Sequence, residues 1–304
     1  MTLAVFLAVY AGALLFLIGC CARAIQYRRT PMHLRWELYP VPHEAPRHAR
    51  HGGSYFEESH WWSSRQTNHQ SSALIAMGRE IFLLKGLWEF NRSLWPPSFL
   101  FHFGLYLTIA TIVLHFAAAA LGAGAAAALL ASVSHWIGWA GILFVVLGAV
   151  WLLKRRMFDP RLANYTRPAD VFNLFFFLIA FLLVADGLSR THAMGSSLFT
   201  VVHGLFRFDR ATQIDPVLAS GIVLSSALAA YIPFTHMSHF IAKYFTWHEV
   251  RWDDRRNVRG SRIERTLAEN LQLKPTWSAA HVQADGDRTW AEIATTNPAQ
   301  EKRP

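Results

Sequence analysis

Five apolar runs of the chain are long enough and poor enough in charge to cross a membrane. They cover residues 2–22, 98–121, 132–153, 170–185 with its flanks, and 216–241. About 20 consecutive apolar residues span the hydrocarbon core of a bilayer as a helix. The pattern therefore predicts an all-α membrane protein with five transmembrane helices in a bundle. The first run lacks a basic segment before it and a small-residue cleavage site, which favours a retained helix over a signal peptide.

The basic residues are distributed unevenly around these runs. Of the 29 Lys and Arg residues, 26 lie between the first and second runs, directly after the third, or after the fifth. The positive-inside rule places these segments in the cytoplasm, with the N-terminus outside and the C-terminus inside. The net charge of +9 then follows from this topology and from contact with membrane lipid headgroups. It does not indicate nucleic-acid binding.

Polar segments divide the chain further. We predict a transmembrane helix over 1–24, a cytoplasmic loop over 25–97, a four-helix membrane core over 98–241 and a cytoplasmic tail over 242–304. Helical spacing over 72–94 predicts an interfacial helix leading into the second run. A short apolar stretch at 198–206 could lie along the membrane surface, and a short helix is expected at 261–273. The tail carries Trp277 and Trp290 in a segment too short for its own core, which predicts burial against a partner protein.

Histidines at membrane depth suggest redox chemistry. His236 and His239 lie within one helical turn of each other, and His102 lies at the same predicted depth near the cytoplasmic end of the second run. Ionisable side chains are costly in lipid and usually functional. Two neutral imidazoles on facing helices can ligate one haem iron, so His102 and His239 are the predicted haem b ligands, with Gly104 as the place where the macrocycle approaches the backbone. Packed core histidines are the alternative.

A second group of polar residues marks the opposite end of the bundle. His115 lies about 20 Å beyond His102 along the second run, rotated by about 220° around the helix. It predicts an outer haem or quinone site, to which His203 could contribute; a histidine at headgroup level is the alternative. The two cysteines, Cys20 and Cys21, are adjacent in the first run, so we expect no iron-sulfur cluster and no zinc site in this chain.

These features resemble the gamma-subunit family of respiratory nitrate reductase, particularly the branch associated with heterodisulfide-reductase-like iron-sulfur proteins. The resemblance rests on the five helices, the motif FHFG at 101–104, PFTHMSH at 233–239, the loop HLRWELYP at 33–40 and the tryptophan-containing tail. It implies the electron-transfer subunit of a quinol:acceptor oxidoreductase in a bacterial cytoplasmic (inner) membrane. Haem b on His102 and His239 would connect menaquinone or ubiquinone with a cytoplasmic heterodisulfide-reductase-like iron-sulfur subunit.

The chain departs from the nitrate reductase pattern at the outer haem. The positions that supply its ligands in that family are Ile112 and Gly221 here, and neither can ligate iron. Three alternatives follow: the outer haem is absent, it uses His115 and His203, or His236 alters the inner arrangement. A haemless membrane anchor for a soluble redox protein is the alternative function. A proton-coupled transporter is disfavoured because the five helices show no inverted repeat.

Overall fold

The computed structural model describes residues 1–29, 41–44, 55–63, 69–122, 124–193, 197–252, 255–277 and 284–297, and these ranges contain no β-strand. The loop at 33–40, which carries part of the family resemblance, lies outside them. The α-helices within them are α1 (Thr2–Arg29), α2 (Gln70–Leu83), α3 (Lys85–Phe90), α4 (Trp95–Leu121), α5 (Ala125–Phe158), α6 (Pro160–Ala163), α7 (Pro168–Ala193), α8 (Leu198–Arg207), α9 (Pro216–Tyr231), α10 (His239–Phe245), α11 (Arg262–Leu271) and α12 (Trp290–Thr295).

Within the described ranges, five helices are long and apolar enough to cross a membrane: α1, α4, α5, α7, and α9 with the turn after it. The predicted all-α membrane bundle is confirmed. The helices α5 and α7 extend beyond their apolar runs at both ends. Helical hydrogen bonding joins each residue to the one four positions earlier, so a helix continues past the hydrocarbon into polar sequence.

The chain forms two compact units. The first contains residues 1–20 and 74–237, and the second contains residues 21–73 and 238–304. The sequence pattern, in comparison, suggested boundaries at 24, 97 and 241. The core of the first unit consists mainly of apolar side chains from α5, α7 and α9, with smaller contributions from α1, α4 and α8. In the second unit, Trp247 and Trp252 are buried and stack with ring centroids 5.2 Å apart.

Glycines set the close approach of α4 and α5. The two helices are antiparallel, and a Cβ added at Gly148 would lie 2.5 Å from the backbone nitrogen of Phe101. A Cβ at Gly104 would lie 2.6 Å from the nitrogen of Val145. Lipid tails are as apolar as the side chains, so membrane helices associate largely through such backbone proximity and packing. These glycines therefore fix the register of the hairpin.

The variant Gly148→Ala is expected to destabilise the protein by about 1–3 kcal/mol, because the added methyl group meets backbone atoms that cannot rotate away. The effect is measured as a lowered unfolding temperature of the purified protein in detergent. Gly78→Ala is the matched control, since a Cβ at Gly78 in α2 meets nothing within 4 Å. An equal loss in both variants would contradict the proposed role of the α4–α5 contact.

The remaining spans pack in the same manner. Gly187 of α7 faces the backbone of Leu218, and a Cβ at Gly221 of α9 would lie 2.7 Å from the nitrogen of Val184. The first part of α1 runs beside α9, where a Cβ at Gly12 would lie 2.7 Å from the carbonyl oxygen of Ser226. The first turns of α1 therefore belong to the same packed unit as α4 to α9.

The fifth span ends earlier than its apolar run. A continuous helix over 216–241 was predicted, but α9 ends at Tyr231 and two 3₁₀ turns, Ile232–Phe234 and His236–Ser238, precede α10. Pro233 lacks a backbone N–H and its ring clashes with a preceding helical turn. The Thr235 hydroxyl donates to the Ile232 carbonyl at 3.0 Å and accepts from the Met237 N–H at 3.1 Å. His236 and His239 thus lie in separate short elements rather than on one helix.

The predicted interfacial helix is also interrupted. Leu84 adopts a left-handed backbone conformation with φ of 51° and separates α2 from α3. Side chains satisfy the backbone groups that this break leaves without helical partners. Glu80 accepts from the Gly86 N–H at 2.7 Å, and the Trp95 indole N–H donates to the Leu83 carbonyl at 2.7 Å.

The tail forms a small cluster of its own. The Trp290 N–H donates to the Leu273 carbonyl at 3.0 Å, and the Trp277 and Trp290 rings lie 5.9 Å apart. The two tryptophans were expected to need a partner protein for burial, whereas they pack against each other. Trp277 nevertheless stays 55% exposed.

Acid is expected to disrupt this tail. The backbone N–H groups of Arg288 and Asp287 stabilise the Asp285 carboxylate and lower its pKa from 3.8 to about 2. The Thr289 N–H and hydroxyl lower the pKa of Glu292. A lowered folded-state pKa contributes stability above the unfolded value, and that stability is lost as the pH falls through the folded value. The contribution of Asp285 is therefore complete above pH 3.8 and lost near pH 2.

The measurement is ¹⁹F NMR of the full chain labelled with fluorotryptophan, following the Trp290 resonance from pH 6 to 1.5. The variant Asp285→Asn should lose the step near pH 2, while the control Asp287→Asn should retain it, since only the backbone of Asp287 contacts Asp285. The same acid midpoint in Asp285→Asn and the unaltered chain would contradict the assignment.

Candidate functional site

His102 is held in a fixed orientation near the start of α4. Its Nδ1 lies 2.7 Å from the carbonyl oxygen of Ser98, one turn earlier. A carbonyl only accepts hydrogen bonds, so Nδ1 carries the proton and the neutral ring has its lone pair on Nε2. An Nδ1–H bond to a backbone carbonyl is the arrangement that orients metal-ligating histidines. His102 is therefore prepared, in tautomer and in orientation, to ligate iron through Nε2.

His239 is the first residue of α10 and is exposed. It belongs to the second unit, whereas His102 belongs to the first. Pairing of the two rings on one haem stays a prediction of the sequence.

Gly104 does not have the role expected from the sequence. It was predicted to receive the flat face of a macrocycle, but the space beside its Cα is filled by the α5 backbone at Gly141 and Val145. The prediction is wrong because the missing side chain serves helix packing. Any haem on His102 must approach from another side of α4.

His236 takes part in a polar cluster at the basic end of the first unit. Its Nε2 lies 3.1 Å from Oδ1 of Asp170, whose other oxygen accepts from Arg156 at 3.2 Å. Nearby Asn173 is only 4% exposed and accepts from the Tyr231 hydroxyl at 3.1 Å. Ligation of iron through Nε2 of His236 would break the contact with Asp170.

His115 belongs to α4 and packs against α5 at the other end of the bundle. It is 1% exposed, and its Nδ1 lies 2.9 Å from the Thr111 carbonyl oxygen. This contact again places the lone pair of the neutral ring on Nε2, which lies 3.3 Å from the Ser134 hydroxyl. The Ser134 hydroxyl has one proton, which it can donate either to this nitrogen or to the Ala131 carbonyl oxygen 3.0 Å away. His115 is therefore a buried side chain that contacts Thr111 and Ser134 within the bundle.

A cavity of about 290 Å³ opens beside His115. Its walls combine two imidazoles, two hydroxyls, one aromatic ring and aliphatic side chains, contributed by His115, His135, Ser132, Ser197, Phe199, Leu198, Leu188 and Ala131. Small-ligand sites have this composition of apolar walls with a few converging polar groups. The cavity volume lies at the lower end of the usual range for such sites, which suits a single quinone ring.

His203 is near this cavity but does not line it. Its ring centroid lies 5.7 Å from that of Phe199, and Phe199 lies 6.4 Å from His115. Both histidines thus flank the same phenylalanine. The structure brings His115 and His203 into one region, as the sequence suggested. Among the described residues, the two rings do not face each other across an open space.

The two positions that supply the outer haem ligands in the nitrate reductase family have other roles here. Gly221 packs directly on the α7 backbone at Val184, and Ile112 is 48% exposed on the outside of α4. Ile112 is placed to meet lipid. Neither position faces a space in which a histidine would meet a haem.

Sequence reasoning missed several residues of these sites. The sequence pattern assigned no site role to His135, Asp170, Asn173 or Phe199. The glycine pattern of α4 and α5 contains a usable signal, because the antiparallel register at Gly138 and Thr111 places Ser134 beside His115.

The chain was compared with known proteins in two ways. No family model matches it, and no curated protein matches its sequence.

Proposed function

We propose that this chain is the haem b membrane subunit of a respiratory redox complex, moving electrons between the quinone pool and a cytoplasmic iron-sulfur partner subunit. The observation that carries the proposal is His102, whose Nδ1–H bond to Ser98 leaves Nε2 as the ligating nitrogen. A histidine with this tautomer on a membrane-spanning helix can ligate a haem iron through Nε2. His239 supplies the second ligand.

The residues present suit such a group. Nε2 of the neutral His102 ring can donate its lone pair to iron. The Phe101 ring lies 5.6 Å from the His102 ring and 5.0 Å from the Phe177 ring. Apolar surroundings and a fixed axial imidazole are the means by which a protein sets the reduction potential of haem. A bound haem b would supply reversible one-electron chemistry at this end of the bundle.

The cavity beside His115 is the proposed quinone site. Oxidation of a quinol to a quinone releases two electrons and two protons. The His115 ring lines this cavity and can accept one proton from the quinol at Nε2. His135 lines the cavity and can accept the other proton. If the positive-inside orientation is correct, these protons are released outside while electrons move inward, which makes the reaction electrogenic.

The partner is proposed to dock on the cytoplasmic side, where the second unit presents exposed tryptophans. Trp62 and Trp277 are each 55% exposed. Aromatic side chains of this kind often anchor protein interfaces. The partner predicted by the family resemblance is a heterodisulfide-reductase-like iron-sulfur protein, since its clusters would complete the electron path.

The decisive experiment is a dithionite-reduced minus oxidised spectrum of the purified full chain, with haem quantified per chain by the pyridine haemochrome method. We expect one haem b. A value of two would mean that His115 and His203 hold an outer haem after all. A value of zero after expression with sufficient haem supply would remove the proposal and leave the haemless anchor.

A further inference from the structure

An open groove of about 720 Å³ runs along the outside of α5 at its basic end. Four apolar side chains of α5, Leu147, Val150, Trp151 and Phe158, form one wall of the groove, and Leu100 of α4 contributes to the other. The spacing of the α5 residues corresponds to one helical stripe. These apolar residues lie on membrane-spanning helices, so the groove faces the acyl chains of the bilayer.

Charged side chains close the groove at its polar end. Lys154, Arg155 and Asp159 all line it, so the rim carries two cations and one carboxylate. The exposed Lys154 has no ion pair among the described residues. A lysine one turn beyond a lipid-facing apolar stripe can extend its ammonium group to the headgroup level while its methylenes stay in the groove. The rim therefore has an excess of positive charge.

Arg155 is held in place at this rim. Its guanidinium donates to the Ser93 carbonyl at 2.8 Å and pairs with Asp159 at 2.7 Å. Its Nε is buried and has no hydrogen-bond partner among the described residues. A buried donor without an acceptor is unfavourable. The guanidinium is thus fixed in position while its hydrogen-bonding capacity is incompletely used.

We propose that this groove binds an anionic glycerophospholipid. One acyl chain lies along Leu147, Val150 and Trp151, and the phosphate lies between Lys154 and Arg155. The apolar length, the tryptophan at the interface and the excess positive charge each match one part of such a lipid. This site is separate from the proposed haem and quinone sites, and it does not depend on either.

The test measures retention of phosphatidylglycerol and phosphatidylcholine by the detergent-purified full chain, using native mass spectrometry across a lipid titration. We expect tighter binding of phosphatidylglycerol, and about fivefold weaker binding in Lys154→Gln. The matched control is Arg161→Gln, which removes the same charge from an exposed residue of α6 that does not line the groove. Val150→Trp, which fills the groove, should weaken binding of both lipids.

Three results would overturn the proposal. Equal binding of the two lipids would show that the rim does not select charge. Equal weakening by Lys154→Gln and Arg161→Gln would indicate attraction to the basic surface in general. Unchanged binding in a folded Val150→Trp variant would place the acyl chain elsewhere. Lys154 is exposed, so Lys154→Gln should fold. This variant keeps the test informative if Val150→Trp cannot be produced.

Discussion

The variant His102→Ala is expected to lose its haem almost completely, with the haem content per chain falling by more than about tenfold. The methyl group cannot ligate iron, whereas the His102 ring is held in position by Ser98. His239→Ala should have the same effect. The measurement is the pyridine haemochrome content of each purified variant, together with its reduced minus oxidised spectrum.

His236→Ala is expected to behave differently. Its Nε2 faces Asp170 at 3.1 Å, so this variant should keep its haem. His60→Ala removes an exposed histidine outside the spans and serves as the matched control. Unfolding temperatures in detergent separate ligand loss from misfolding. Retention of haem by His239→Ala together with its loss in His236→Ala would reverse the assignment of the second ligand.

The variant His115→Gln is expected to lower kcat/KM for quinol oxidation by about 100-fold, because a side-chain amide cannot accept the quinol proton as an imidazole does. Glutamine is close to histidine in size, so the fold should persist. The assay uses membranes that contain the chain, a reduced soluble quinone analogue as the donor and ferricyanide as the acceptor. A matching loss is expected in Ala131→Trp, which fills the cavity.

His203→Gln is the matched control for this prediction, since His203 lies beside Phe199 but does not line the cavity. It should retain both quinol oxidation and haem. An unaltered rate in His115→Gln would contradict the quinone assignment. Loss of one of two haems in both His115→Gln and His203→Gln would instead identify these residues as ligands of an outer haem.

The fifth span illustrates where local sequence was insufficient. No Asp, Glu, Lys or Arg occurs between Asp215 and Lys243, so hydropathy predicted one helix to residue 241. The actual path depends on the proline ring and on the Thr235 hydroxyl, which bonds to Ile232 and Met237. Hydropathy reports burial in lipid, and it carries little information on backbone direction within an apolar segment. The positions of His236 and His239 therefore needed the structure.

Gly104 illustrates the same limit for a site residue. A glycine two residues from a candidate ligand is compatible with either a cofactor or a neighbouring helix. The packing of α5 excludes a cofactor at Gly104, because Gly141 and Val145 of α5 occupy the space. The sequence left the role of His115 equally open. The structure shows that its two ring nitrogens contact the Thr111 carbonyl oxygen and the Ser134 hydroxyl.

The sequence by itself determined that this is an all-α membrane protein with five apolar spans. The free energy of placing about 20 apolar residues in a bilayer depends on composition along the chain and on no distant contact. It also singled out the histidines of the spans, because ionisable groups at that depth are rare. Only the tertiary structure decided which partner each histidine has. Those partners, Asp170 for His236 and Ser134 for His115, are distant in sequence, and helix packing through glycine contacts brings them together.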